Sequence, residues 1–426
     1  MKRLLIPLYF LSACSLAHAE TTVLECARLV DVERGRLVEN QQILIEDNRI
    51  TAVGKSVTAG NDADRIQLDT CLPGLMDMHV HLSGQMSRNG YIKRFQNNAA
   101  DQALLASHYA NITLQAGFTT VRNLGDSYDV TVALRNAISE GVATGPRIFT
   151  AAKTSATTGG HGDPTNGFRE DMMGDPGPEE GVINNADDAR KAVRQRYKDG
   201  ADMIKITATG GVLSLAKSGQ NPQFTMEELE AVVETATDYG MTVAAHSHGT
   251  EGMKRAVQAG VTSIEHGTFM DDEVMSLMKK QGTYYVPTIS AGKFVAEKAE
   301  EEDYFPPVVR PKAASVGPKI QDTFAKAYAS GVTIAFGTDA GVSPHGTNAL
   351  EFGYMVEGGM PEMEAIQSAT VTAARLIGME DQLGSISQGK LADIVALEGN
   401  PLEDISLLSE INFVMKDGRI YRQPQK

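Results

Sequence analysis

Two histidines stand two residues apart in Asp77-Met78-His79-Val80-His81, at the end of an apolar run. Residues two apart in a strand share a face, so both imidazoles point the same way and can chelate one cation. Alone, an H-x-H is a weak metal signal. Lys205 lies inside a second apolar run, Asp202-Met203-Ile204-Lys205-Ile206-Thr207. If Ile204 and Ile206 face covering helices, Lys205 faces the other way, where a buried ammonium needs a partner or a lowered pKa. A salt bridge, a Schiff base and a carbamate formed with carbon dioxide all fit that position. The carbamate would turn a cation into a carboxylate able to bridge two metals. Three further runs end in His246-Ser247-His248-Gly249, Glu265-His266-Gly267 and Gly337-Thr338-Asp339-Ala340-Gly341. Imidazoles with a carboxylate suit zinc or a similar divalent ion.

Such residues meet only if the elements carrying them converge. Helical stretches end in glycine and an apolar, β-branched run follows at Gly117, Gly200, Gly240, Gly260, Gly282 and Gly331. Glycine enters the left-handed region at a helix C-terminus without Cβ strain. Repeated helix–glycine–strand junctions imply alternating α and β elements and parallel strands. With Leu75–His81 and Arg147–Ala151 added, the count is eight. The expected fold is therefore an α/β (β/α)8 TIM barrel over residues 73–383, with its chemistry at the C-terminal strand ends. A doubly wound open sheet is the runner-up, weakened because no G-x-G-x-x-G follows the first strand.

The chain ends read differently. Asp47-Asn48 and Asp417-Gly418 are hairpin turns between short strands, each followed by Arg-Ile, and Leu391–Leu397 is a further strand. Residues 20–72 plus 384–426 are thus expected to form one small β-sandwich from both termini. Lys2, Arg3, an apolar run and Ala17-His18-Ala19 make residues 1–19 a secretory signal peptide, which predicts export to the periplasm or medium. Cys14 in a lipobox-like Leu11-Ser12-Ala13-Cys14 is the second reading, a lipid-anchored chain. Cys26 and Cys71 would remain, and both a disulfide and two buried thiols fit them.

The 426 residues are 42% hydrophobic and 22% charged, which excludes a disordered or polytopic membrane chain. The net charge of −15 excludes nucleic acid as an expected partner. Loss of the leader would take it to −17.

These motifs together resemble the metal-dependent amidohydrolase superfamily. The similarity is greatest to the branch with imidazolonepropionase-like enzymes, Xaa-Pro dipeptidase-type enzymes and ochratoxin-hydrolysing amidohydrolases. It is carried by Leu72-Pro-Gly-Leu-Met-Asp-Met-His-Val-His-Leu82, Lys205, the His-x-His-Gly motif with His266 twenty residues after His246, Gly337–Gly341 and Gly389-Lys-Leu-Ala-Asp-Ile394. It covers essentially the whole mature chain. The resemblance implies two divalent ions, zinc first among them. His79 and His81 would hold one, His246 and His266 the other. A carbamylated Lys205 would bridge both, and Asp339 would touch the first ion and the attacking water. His248 would be free to contact substrate or the oxyanion.

The reaction so implied is hydrolysis of an amide in a dipeptide or N-acyl amino acid, ochratoxin included. A homo-oligomer with a small-molecule substrate is implied too. Further substrate contacts are expected on loops at the same face, from Ser83, His161, Gly211 and His345. Arg122, at the end of the second strand, is expected either to fork onto a substrate carboxylate or to pair with a neighbouring acid. A mononuclear deaminase or cyclic-amide hydrolase on the same fold is the alternative, and a silent envelope binding protein is a third.

Overall fold

The structure is a computed structural model, and it describes residues 21–424. The leader residues, with Cys14 and His18, lie outside that range. Fourteen strands occur among the described residues. In chain order they are β1 (Thr21–Asp31), β2 (Arg36–Glu46), β3 (Arg49–Gly54), β4 (Asp64–Pro73), β5 (Leu75–Val80), β6 (Phe118–Asn123) and β7 (Arg147–Thr150). They continue with β8 (Ile204–Thr207), β9 (Val243–Ser247), β10 (Ser263–His266), β11 (Tyr284–Val286), β12 (Ile394–Leu397), β13 (Phe413–Lys416) and β14 (Arg419–Arg422). No helix among the described residues is long and apolar enough to cross a membrane.

The middle of the chain is α/β. Strands β5, β6 and β7 form one parallel sheet and β8 to β11 another, with helices between successive strands. Residues of β5, β6, β8, β9 and β10 are buried throughout, as expected of parallel strands covered on both faces. All six junction glycines have φ between +69° and +95°. Each therefore stops its helix and turns the chain into the next strand.

The eighth expected strand, residues 332–340, is not a regular strand. It makes single parallel bridges, Ile334 to Tyr285 and Ala340 to Val80. Its backbone still exchanges bonds with β5: Met78 N donates to Phe336 O at 2.9 Å, and Asp339 N to His79 O at 2.7 Å. On the other side of the two sheets, Ser155 bridges Ile206. The irregularity follows from side chains that compete for the backbone. The buried Asp77 carboxylate accepts bonds from Thr338 N, Thr338 Oγ1, Asn348 Nδ2 and His79 N, bending the segment around itself.

Both hairpins are present, and the two chain ends do share one unit. The hydrogen bonds run continuously through seven strands in the order β14-β13-β12-β4-β1-β2-β3. That sheet curls, so that Ile50 of β3 exchanges backbone bonds with Gly389 and Lys390 just ahead of β12. Its core holds Leu24, Ile43, Ile50, Ile394, Phe413 and Met415. Cys26 of β1 and Cys71 of β4 have Cα atoms 5.8 Å apart, and their sulfurs are bonded.

Candidate active site

At the C-terminal ends of the parallel strands lies a cavity of about 160 Å³. Lys205 and the rings of His79, His81, His161, His246, His248 and His266 line it, with Asp339. Strand alternation explains most of them. Asp77, His79 and His81 share one face of β5, and Lys205 and Thr207 share one face of β8 while Ile204 and Ile206 enter the apolar core.

Two residues reach the cavity against alternation. Ser263 and Glu265 face inward on β10, since both bond the Arg122 guanidinium. His266 should then face outward. Its backbone has φ +70°, and this turn brings its ring to 4.9 Å from that of His79 and 4.6 Å from that of His246. Asp339 follows inward Thr338 in the same way, with φ +57°. A left-handed backbone at a non-glycine residue costs of order 1 kcal/mol, and such costs persist where the surroundings impose them.

His79 Nε2 lies 3.5 Å and His81 Nε2 3.4 Å from Asp339 Oδ1. These are long for hydrogen bonds. They match the spacing of about 3.3 Å between ligand atoms held tetrahedrally at about 2.0–2.1 Å from one ion. His246 Nε2 and Asp339 Oδ1 are buried without a hydrogen-bond partner. Buried polar atoms normally have partners, so these two point to a missing one. The second ring nitrogens are occupied: His79 Nδ1 by Glu265, His81 Nδ1 by Gly125 O, His266 Nδ1 by Thr288 and His248 Nδ1 by Thr268. Such outer partners fix ring orientation in metal sites. His79, His81 and Asp339 could therefore hold a divalent ion.

Electrostatics agree. Burial holds the imidazoles of His79, His246 and His266 well below their ordinary pKa, with neighbouring positive groups adding to it. His81 is lowered to about 4, and His161 and His248 to about 3, again chiefly by burial. Neutral imidazole is the ligating form. Burial also lowers the Lys205 ammonium, against Glu265 and Asp339, and raises the Asp339 carboxyl, against Lys205.

The loop residues divide. His161 lines the cavity and stacks on His246 at 4.3 Å. Gly211 backs onto the His161 ring, where a Cβ would come within 2.2 Å of it. Ser83 and His345 are not among the lining residues. His345 Nε2 bonds Gly84 O, and its ring stacks on Tyr109. Arg122 requires a correction of its substrate-contact reading. It is fully buried and is not among the residues lining the cavity, and its guanidinium donates to Met78 O, Ser263 and Glu265. The pairing with a neighbouring acid is the one observed.

Glu265 was not singled out from the sequence for this task, although Ser263-x-Glu265 shows the inward period-2 pattern. Thr268 and Thr288 carried no signal, because their roles depend on turns that bring them under His248 and His266.

The model of the amidohydrolase family matches residues 70–421. Ochratoxinase from Aspergillus niger is 33% identical over 96% of this chain and 88% of its own. A solved Xaa-Pro dipeptidase with methionine bound in its active site superposes with a TM-score of 0.91 at 57% identity, over 94% of this chain and all of that one. A prolidase complexed with N-methylphosphonate-L-proline gives 0.86 at 32% identity, over 95% and 100%. Converging imidazole and carboxylate groups, a cavity at the strand ends and similarity along nearly the whole length lead to one assignment: this chain belongs to the amidohydrolase family and is a hydrolase of amide bonds.

Proposed function

We propose that the protein is a dinuclear metal-dependent hydrolase of dipeptides or N-acyl amino acids. The observation that carries this reading is that Lys205 shares one cavity with both the His79–His81–Asp339 trio and the His246–His266 pair. Lys205, carbamylated, would bridge two ions, zinc suiting the donor set. His79, His81 and Asp339 would hold one ion, and His246 and His266 the other. Bound ions of this kind polarise a carbonyl and acidify a water.

The chain's own groups do the rest. Asp339, beside the Nε2 atoms of His79 and His81 in the cavity, takes the proton of the attacking water and returns it to the leaving nitrogen. In the tautomer whose Nδ1 accepts from Thr268 Oγ1, His248 offers its Nε2–H as a hydrogen-bond donor to the developing oxyanion. Val212, Leu213, Ala291, Val295 and Val316 form an apolar wall that suits an apolar side chain. Methionine in the 57% identical dipeptidase supports an amino-acid product, and the Aspergillus relative supports acyl-phenylalanine amides such as ochratoxin. The reading includes closure of the parallel strands into an eight-membered barrel, supported by the three single bridges that join the two sheets and residues 332–340. It includes export as well, supported by the leader sequence and the Cys26–Cys71 bond.

One observation favours a single-ion enzyme: only the His79–His81–Asp339 trio converges closely enough to be recognised as a ligand group among the described residues. Metal analysis separates the two. The dinuclear reading expects about two equivalents per chain and loss of about one in Lys205→Ala. One equivalent, unchanged by that substitution, overturns it. A screen of dipeptides, N-acyl amino acids and ochratoxin with zinc supplied should yield free amino acid. No hydrolysis of any of them rejects the substrate class.

A further inference from the structure

We propose that Lys312 is a positioning residue that pins the Gly211–Ala216 loop over the cavity and so sets how tightly substrate is held. It stands in the helix Arg310–Ala329, far in sequence from the loop. An ammonium has three N–H donors. All three are matched, to Gly211 O at 2.9 Å, Ser214 O at 2.8 Å and Ala216 O at 2.8 Å. Lys312 makes no ion pair among the described residues, and its charge lies close enough to His161 and His248 to disfavour their protonation. Lys312 is half-buried, which lowers its ammonium to about 8.

The loop supplies two parts of the site. Val212 and Leu213 belong to the apolar wall, and Gly211 supports the His161 ring that stacks on His246. A second tether, Tyr91 Oη to Leu213 O at 2.7 Å, holds only the middle of the loop. Without Lys312, both ends of the 211–216 segment lose their anchor. The chain there has no helix or strand of its own to replace it. A loosened wall would weaken ground-state and transition-state binding together.

Lys217 gives a direct readout, since it is exposed and directly follows the pinned segment. The variant Lys312→Met keeps the length of the side chain and removes the donors. Trypsin should cut it after Lys217, giving a fragment that begins at Ser218, while the parent chain resists. With zinc present and L-alanyl-L-methionine as probe, KM should rise about tenfold while kcat stays within about threefold, the pattern of lost uniform binding. Bound metal should be unchanged. Equal protection of Lys217 in parent and variant overturns the proposal, as does equally fast cutting of both. A fall in kcat with lost metal and unchanged KM also overturns it, because Lys312 would then act on the metal centre. If Lys312→Met does not fold, Lys312→Gln, which retains two N–H donors, is read in the same way. The kinetic arm rests on the hydrolase reading above. The trypsin arm does not, so failure of the parent to cleave the dipeptide leaves the Lys312 inference decidable.

Discussion

Glu265 joins two buried side chains, His79 and Arg122. One carboxylate oxygen takes His79 Nδ1 at 2.9 Å, and the other takes Arg122 at 2.7 Å, all three residues being buried. A buried ion pair broken on one side leaves an uncompensated charge, at a cost of about 3 kcal/mol. Glu265→Gln is therefore expected to lower stability by roughly that amount in a urea melt and to weaken zinc binding about tenfold or more, measured by competition with a chelator. Unchanged zinc affinity would show that Glu265 does not orient His79. Asp339→Asn keeps an oxygen for the ion but cannot take up the proton of the attacking water. We expect turnover to fall by at least about a thousandfold with metal largely retained, and retained activity would remove Asp339 from its role.

At the scale of elements, two glycines separate backbone from sterics. Gly331 has φ +84° and nothing near a would-be Cβ. Gly331→Ala should cost about 1 kcal/mol in stability, with kcat unchanged. Gly337 lies beside β5, where a Cβ would sit 2.3 Å from Val286 and 3.1 Å from the His79 backbone nitrogen. Gly337→Ala must push His79 or Val286 aside. Activity should drop at least about tenfold, since misplacement by a fraction of an ångström at a catalytic group is enough. Equal kinetics for the two variants would argue that the 332–340 segment is free to shift.

Across the whole molecule, the two structural units share one apolar core, to which Val30, Leu72, Val395 and Val414 of the curled sheet belong, and polar contacts tie them as well. Arg147 at the start of β7 reaches Asp393 and Asp417, and Lys416 donates to Gly145 O. The curled sheet has its own covalent tie in Cys26–Cys71, separated by 45 residues. Closing a loop of that length in the unfolded chain stabilises by roughly 4 kcal/mol in the chain-entropy picture. Cys26→Ser with Cys71→Ser should lose up to that amount, read from urea melts without reductant. Removal of metal with a chelator should abolish hydrolysis and lower the melting temperature, because ligands that bind only the folded chain stabilise it. Restoration by added zinc checks that the loss is reversible.

Much of the site was legible because period-2 alternation and strand ends are local properties. His79 with His81, Lys205 between two isoleucines, and the six glycine junctions needed no knowledge of distant chain. Residue types alone also carried the divalent-ion chemistry. Three things were decided only by tertiary structure. Arg122 was claimed by Glu265, since a buried guanidinium takes the nearest buried carboxylate rather than wait for substrate. His266 and Asp339 turned inward through left-handed backbone that no strand pattern encodes. The two β-rich ends met in one continuous seven-stranded sheet, because hydrogen bonding between strands far apart in sequence depends on where the intervening chain returns them.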